Sequence, residues 1–230
     1  DPVARVLPEF ADLRVYTGGG GSIPFAPGQR AEPMGFVDLL THMSGLTYGF
    51  QNRTSIDAAY RDARLDMPRR GMNSDEYIAA LAKLPLEFSP GERWNYSVST
   101  DVLGVAVERL SGLKLGDYFE RHIFAPLEMT DTGFDAAIDR AERLGDAWAY
   151  TPGGAPKVID SAERSRMLEP AEFHSGGGGL ISTIGDYHRF CTMLLNRGML
   201  DKARIVAPKT MDLMTANHLP DDADLTRISR

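Results

Sequence analysis

A single cysteine, Cys191, stands in the 230-residue chain, so no disulfide can form within it and its redox compartment goes unrecorded. The expectation for Cys191 is a buried apolar side chain. Basic blocks are missing too: 25 lysines and arginines face 32 acidic residues, for a net charge of -7, and none cluster in a way that would track a phosphate backbone. Nucleic acid is therefore not an expected partner. No uninterrupted apolar run approaches the roughly 20 residues that a membrane-spanning helix needs, and the opening DPVARVLPEF lacks the charged-then-apolar layout of a secretion signal. The five histidines, His42, His122, His174, His188 and His218, are scattered without His-Glu-x-x-His spacing, so no metal site is expected.

Two runs of four glycines, residues 18–21 and 176–179, resemble phosphate cradles only superficially. Neither is followed by Lys-Ser/Thr, and neither fits Gly-x-Gly-x-x-Gly, so they read as turns or places of close backbone approach, with no cofactor expected. No serine lies in Gly-x-Ser-x-Gly, which excludes the nucleophile elbow of an α/β-hydrolase.

What is present is enough apolar material, 43% of residues, to bury a core in one domain. Residues 1–35 read as an extended or hairpin segment and residues 36–230 as mainly helical. The stretch FVDLLTHM carries a helical apolar stripe stopped at Ser44-Gly45. Two helices are expected between Thr54 and Leu84, the second opening with Asn73 three residues before Glu76 and burying Tyr77, Ile78, Leu81 and Leu84. After a Pro90-Gly91 turn, a helix beginning near Val98 would bury Val98, Val102, Val105, Ala106 and Leu110, end at Gly112, and place Asp101 at the positive end of its dipole. LGDYFERHIFAPLEM predicts one further helix and AWAYTPGGAPKVID a hairpin. Thr183 and Asp186 would cap a helix burying Ile184, Tyr187, Phe190, Cys191 and Leu194, and residues 208–217 form a last short helix.

Tyr96, in the stretch GERWNYSVSTDVLG, poses the functional question. Taken alone, a tyrosine between a Pro-Gly turn and an apolar helix is core filler with a bonded hydroxyl. Its surroundings, however, join three ordered stretches: LLTHMSGL at residues 39–46, PGERWNYSVSTDVLG at 90–104, and GGGGLISTIGDYHRF at 176–190. Together with IFAPLEMTDTGF at 123–134, they resemble the serine β-lactamase and DD-peptidase superfamily, most closely the class C-like carboxylesterases called family VIII. The resemblance implies an α+β, β-lactamase/transpeptidase-like fold, of which this chain carries mostly the helical part and few short strands. It implies a single domain incomplete at both ends.

In that family a Ser-x-x-Lys serine attacks, and a tyrosine triplet handles its proton. The resemblance places Tyr96-Ser97-Val98 at the triplet, which makes Tyr96 the general base and acid. Phenols ionise near pH 10 in water, so such a tyrosine needs a nearby cation, supplied in the family by the lysine. Val98 stands where β-lactamases place an amide-binding asparagine; an apolar side chain there favours esters over β-lactams. Ser97 and Val98 are expected beside substrate, and Tyr48, Phe50 and Trp94 as lining for an acyl or alcohol pocket. His42 and Ser44 read as tethers for the following loop.

The literal Ser-x-x-Lys match, Ser111 to Lys114, straddles the glycine that ends a helix, and the pair works only on consecutive turns of one helix. The nucleophile is therefore expected outside these residues. The expected reaction is ester cleavage through an acyl-enzyme on a small-molecule ester. A β-lactamase or D-Ala peptidase of the same fold is the alternative, as is a non-catalytic module that binds or assembles. An internal piece would leave sheet-facing apolar surface uncovered, so self-association or a complementing fragment is also expected.

Overall fold

In the computed structural model of the chain, residues 1–66, 71–135 and 142–228 are described. The architecture is helical, with two small antiparallel hairpins. The helices are α1 (Phe36–Leu40), α2 (Ser55–Asp62), α3 (Ser74–Leu81), α4 (Ser99–Ser111), α5 (Leu115–Phe119), α6 (Ile184–Leu195), α7 (Pro208–Met214) and α8 (Leu225–Ile228). The hairpins are β1 (Ala147–Ala149) with β2 (Lys157–Asp160), and β3 (Met199–Leu200) with β4 (Ala203–Arg204).

Local chemistry explains most of these boundaries. Thr54 and Asn73 each accept the N–H three residues on, while Asp57 and Glu76 reach back to the cap N–H, so α2 and α3 both start in a complete capping box. Gly112 takes φ +72 after α4 and returns its N–H to the Glu108 carbonyl. The expected helix at 115–129 forms as α5 followed directly by a π turn, Glu120–Phe124. The hairpin around Pro152-Gly153 also forms, with a register irregularity between Ala147 and Trp148.

The first twelve residues differ from an extended segment. Val3–Arg5 and Pro8–Asp12 are 3-10 turns, and they insert Val3, Leu7 and Phe10 into the core. Pro8 opens its turn where a missing N–H costs nothing. From there to Met34 the backbone runs as a meander held by isolated bridges, Arg14 to Arg30 and Gly20 to Ile23, and by a parallel bridge from Val15 to Leu86.

One large core gathers Leu39, Leu46, Ile56, Tyr60, Tyr77, Ile78, Leu81, Leu86, Val98, Val102, Val105 and Phe173 around α4. Arg109, on α4, closes one rim with two bonds to Glu9 of 2.7 and 2.8 Å and one to Asp75 of 2.9 Å. Leu110, expected inside, is exposed, because it lies in the last turn of α4 beyond the edge of this core. A second cluster forms from Phe124, Leu127, Met129 and Met193, with Phe190 and Leu194 packed on it.

The buried face of α6 is rotated from the expected one. Ile184 is 92% exposed, and Tyr187 and Cys191 are exposed as well. The reason is polar: buried Asp186 accepts the Asp131 N–H and the Thr132 hydroxyl, each at 2.8 Å. That anchor turns Asp186, Phe190, Met193 and Leu194 inward, at helical spacing, and leaves Ile184, Tyr187, Cys191 and Leu195 as a second apolar stripe on the outside. Cys191 is thus an exposed thiol rather than a core residue.

The second glycine run does bring backbones together. A Cβ on Gly176 would overlap the Thr100 carbonyl oxygen, and Gly104 of α4 faces the same crossing. Asp101, buried one residue beyond Thr100, seals it: its carboxylate accepts the Ser175 hydroxyl, the Gly177 N–H at 3.3 Å and the Tyr48 hydroxyl at 3.5 Å. Burial pushes this carboxyl above the usual carboxylate range, and the three donors offset that only in part. Nearby, His174 stacks on Phe134 with centroids 4.4 Å apart and accepts the Gly116 N–H on Nδ1 at 3.0 Å. Burial, and secondarily the Lys114 charge, hold its pKa below the ordinary value.

Two outcomes follow for stability. Asp101→Ala strands three donors and Gly176→Ala forces the crossing apart, so each is expected to lower the unfolding free energy by about 2–4 kcal/mol in urea titrations; losses below ~1 kcal/mol would contradict this packing. His174 is neutral in the fold, and its contribution is complete above the unfolded pKa of about 6.5 and lost as pH falls below it. Stability should therefore decline more gently from about pH 7 to 5 in His174→Gln than in the unsubstituted protein, and equal slopes would contradict this assignment.

Candidate active site

Tyr96 sits two residues before the N-cap of α4, in an extended stretch where successive side chains point to opposite sides. Both neighbours are held inward. The Asn95 side chain donates to the Leu46 carbonyl at 2.9 Å and accepts from Arg53 at 2.5 Å, and the Ser97 hydroxyl lies among other buried serines. Backbone bonds from the Asn95 N–H to the His42 carbonyl, 2.9 Å, and from the Val98 N–H to the Thr47 carbonyl, 3.2 Å, fix the stretch against the 42–47 loop. Gln51 donates its side-chain amide to the Tyr96 carbonyl. With 95 and 97 inside, Tyr96 must point out, and it is 46% exposed.

Its ring is the centre of an aromatic group. His42 lies 5.0 Å from it by centroid, Tyr48 5.2 Å and Trp94 6.5 Å, while Phe50 stacks on Tyr48 at 4.8 Å. Tyr48 is buried with its hydroxyl committed to Asp101; burial first, and the Asp101 charge second, raise its pKa far above that of a free phenol. It therefore contributes a ring face and no titrating oxygen. Phe50 is open to solvent and Trp94 half-buried, so together they flank Tyr96 with apolar surface.

Ser97 and Val98 are both fully buried. Ser97 does not cap α4; its Oγ lies 2.8 Å from Ser99 Oγ and 3.3 Å from His42 Nδ1. Val98 is the N-cap residue and fills the core with its side chain. Their side chains thus support Tyr96 from beneath. Ser44 ties the 42–47 loop to α4 through a 2.7 Å bond to Ser99 Oγ.

Ser111 and Lys114 occupy the end of α4 and the N-cap of α5, on either side of the left-handed Gly112. The Ser111 hydroxyl accepts the Leu113 N–H at 3.2 Å, as a turn residue does. The two share no helix face. Among the described residues no group of three or more His, Cys, Asp or Glu is placed to hold a metal ion, and no helix is long and apolar enough to cross a membrane.

Sequence reasoning did not connect His42 with Tyr96, or assign Asn95, Gln51, Ser99 and Asp101 to the site. The available signal was the alternation Asn95-Tyr96-Ser97: two small polar residues around a tyrosine in an extended stretch fit a pattern of polar anchors inside and a ring outside.

The β-lactamase family model matches residues 1–225. The protein Rv1367c of Mycobacterium tuberculosis is 37% identical over 223 residues, which cover 96% of this chain and 53% of that protein. Esterase EstB of Burkholderia gladioli is 32% identical over 205 residues, covering 82% of this chain and 48% of EstB. Among solved structures, unliganded simvastatin synthase (LovD) from Aspergillus terreus superposes with a TM-score of 0.76 at 26% identity, covering 99% of this chain and 53% of that one. The chain spans about half the length of the curated relatives it matches. Helical core, ordered motifs and family match agree: the fold is of the β-lactamase/transpeptidase kind, and the chain belongs to the β-lactamase family.

Proposed function

We propose that the full-length protein is a serine hydrolase that cleaves small carboxylic esters through an acyl-enzyme, in the manner of the family VIII carboxylesterases, with Tyr96 as the group that moves the proton. The observation that carries this reading is the outward, fixed presentation of Tyr96: a half-exposed phenol at the mouth of α4, anchored through its backbone and both neighbours. A residue serving only as core filler has no need of this clamp. The attacking serine, of a Ser-x-x-Lys pair, is supplied by polypeptide outside residues 1–230.

In this mechanism Tyr96, as phenolate beside the lysine ammonium, takes the hydroxyl proton as the serine oxygen bonds to the ester carbonyl carbon. It returns that proton to the alkoxide when the alcohol leaves. In the second half it takes a proton from water, whose oxygen attacks the acyl carbon, and gives it back to the serine as the carboxylic acid departs. Phe50, Trp94 and the Tyr48 ring offer apolar surface beside the reacting centre for the acyl or alcohol part. Ser97 and Val98 act on substrate only indirectly, by seating Tyr96. With Val98 packed into the core, this position offers no hydrogen-bonding group to a β-lactam amide, which supports an ester substrate. The esterase name of EstB supports the same choice. The outer stripe of α6, with Ile184, Tyr187, Cys191 and Leu195, is the apolar surface that a complementing segment or a second copy would cover.

In the full-length protein, Tyr96→Phe is expected to lower kcat/KM on a short p-nitrophenyl ester by about 100- to 10,000-fold with the fold retained, and the unsubstituted protein should prefer that ester to a chromogenic cephalosporin. Near-normal turnover by Tyr96→Phe would return the tyrosine to a packing role. Preference for the cephalosporin would favour a β-lactamase instead.

A further inference from the structure

Beneath Tyr96 runs an unbroken series of side-chain hydrogen bonds. Ser44 Oγ and Ser99 Oγ are 2.7 Å apart, Ser99 Oγ and Ser97 Oγ 2.8 Å, and Ser97 Oγ and His42 Nδ1 3.3 Å. At the far end, Ser44 Oγ accepts the Leu46 N–H at 3.2 Å. All three serines are fully buried, so water does not complete their bonding.

Each hydroxyl has one hydrogen to give, and this fixes the direction of the series. If the imidazole donated from Nδ1, then Ser97 would donate to Ser99 and Ser99 to Ser44. The Ser44 hydrogen would then have no acceptor among the described residues, because its other neighbour, the Leu46 N–H, is itself a donor. If the series runs the other way, Ser44 donates to Ser99, Ser99 to Ser97 and Ser97 to Nδ1. Every hydrogen is then used, and chained bonds of one direction polarise each other favourably. The imidazole is left with its hydrogen on Nε2. Burial of His42 acts in the same sense, holding its pKa below the ordinary value and the ring uncharged.

The backbone also fixes His42. This residue has φ +58, a left-handed conformation that few residues other than glycine, asparagine, aspartate and histidine adopt. It is held there by the Met43 N–H bond to the Asp38 carbonyl, 2.7 Å, and by the Asn95 N–H on its own carbonyl. The ring so placed packs on Tyr96 at 5.0 Å and on Trp94 at 6.1 Å.

We propose that the Ser44–Ser99–Ser97 hydroxyl series locks His42 as the neutral Nε2–H imidazole, and that this ring is a positioning residue that sets the orientation of the Tyr96 phenol. The proposal rests on the reading of Tyr96 as the proton-transfer group. His42 itself exchanges no proton with substrate; it acts through the ring it supports. Ser99 is then the middle link: without it the Ser44 hydroxyl would lack an acceptor and the Ser97 oxygen a donor, while Ser97 would keep its bond to Nδ1.

Nitrogen-15 NMR of the full-length protein labelled at histidine reads the first half directly, with the His42 signals identified by their loss in His42→Asn. Near neutral pH, His42 should show hydrogen on Nε2 and an unprotonated Nδ1, and Ser97→Ala, which removes the donor to Nδ1, should mix the two tautomers. Kinetics on a p-nitrophenyl ester read the second half. His42→Phe keeps a ring but strands the Ser97 hydroxyl, so kcat should fall by about tenfold or more with KM changed less than about threefold. His42→Asn tolerates the left-handed backbone and keeps an oxygen for Ser97 but removes the ring that packs on Tyr96, so its kcat should also fall by about tenfold or more. A hydrogen on Nδ1, or near-normal kcat in either variant, would overturn the proposal. If Tyr96→Phe keeps normal turnover, the proton-transfer reading fails and the positioning role fails with it, whereas the tautomer lock is judged by the NMR result alone.

Discussion

The first turn of α4 is the point on which the rest of this structure depends. A helix start has free N–H groups and usually a side-chain cap, yet here the N-cap is Val98 and no side chain caps it. The turn is secured instead by what it buries. Ser97, Ser99 and Asp101 point inward, towards the 42–48 loop on one side and the 175–177 backbone on the other. Three stretches far apart in sequence therefore meet at one place, each satisfying polar groups that none could satisfy alone. In a buried setting such a seam is all or nothing, since every unmatched donor costs about as much as several matched ones contribute.

This constraint ties the presentation of Tyr96 to the stability of the fold. The inward bonds of Asn95 and Ser97 hold Tyr96 outward, and the same Asp101 that closes the glycine crossing also fixes the Tyr48 ring against which Tyr96 leans. The aromatic group around Tyr96 is thus set by buried polar contacts rather than by apolar packing alone. Apolar packing would tolerate several ring orientations, whereas hydrogen bonds of fixed length and direction select one.

Much of this was legible in the sequence, because it is written in short-range chemistry. The capping residues Thr54 and Asn73, the helix-ending Gly112 and the Pro152-Gly153 turn act within a few residues, and each element they mark is present. The ordered motifs gave the family and the fold. What was not legible depends on distant partners. His42 and Ser97 are 55 positions apart, so nothing local joins the imidazole to the tyrosine. The rotation of α6 is not legible in the sequence because two apolar stripes share that helix, and the choice between them is made by Asp186 bonding to Asp131 and Thr132. Cys191 turns with the helix and lies on the stripe that faces out. The 3-10 turns before Leu13 are too short to leave a periodic pattern in the sequence.

The central claim is geometric: a clamped helix mouth aims the Tyr96 oxygen at an attacking serine. A crystal structure of the full-length protein after reaction with an alkyl fluorophosphonate tests it most directly, because the phosphonyl group mimics the tetrahedral intermediate on the nucleophile. The account predicts the Tyr96 hydroxyl within about 2.6–3.2 Å of the modified serine oxygen or the position of the leaving group. A hydroxyl directed elsewhere, with neither a direct bond nor a single bridging water to that serine, would contradict it.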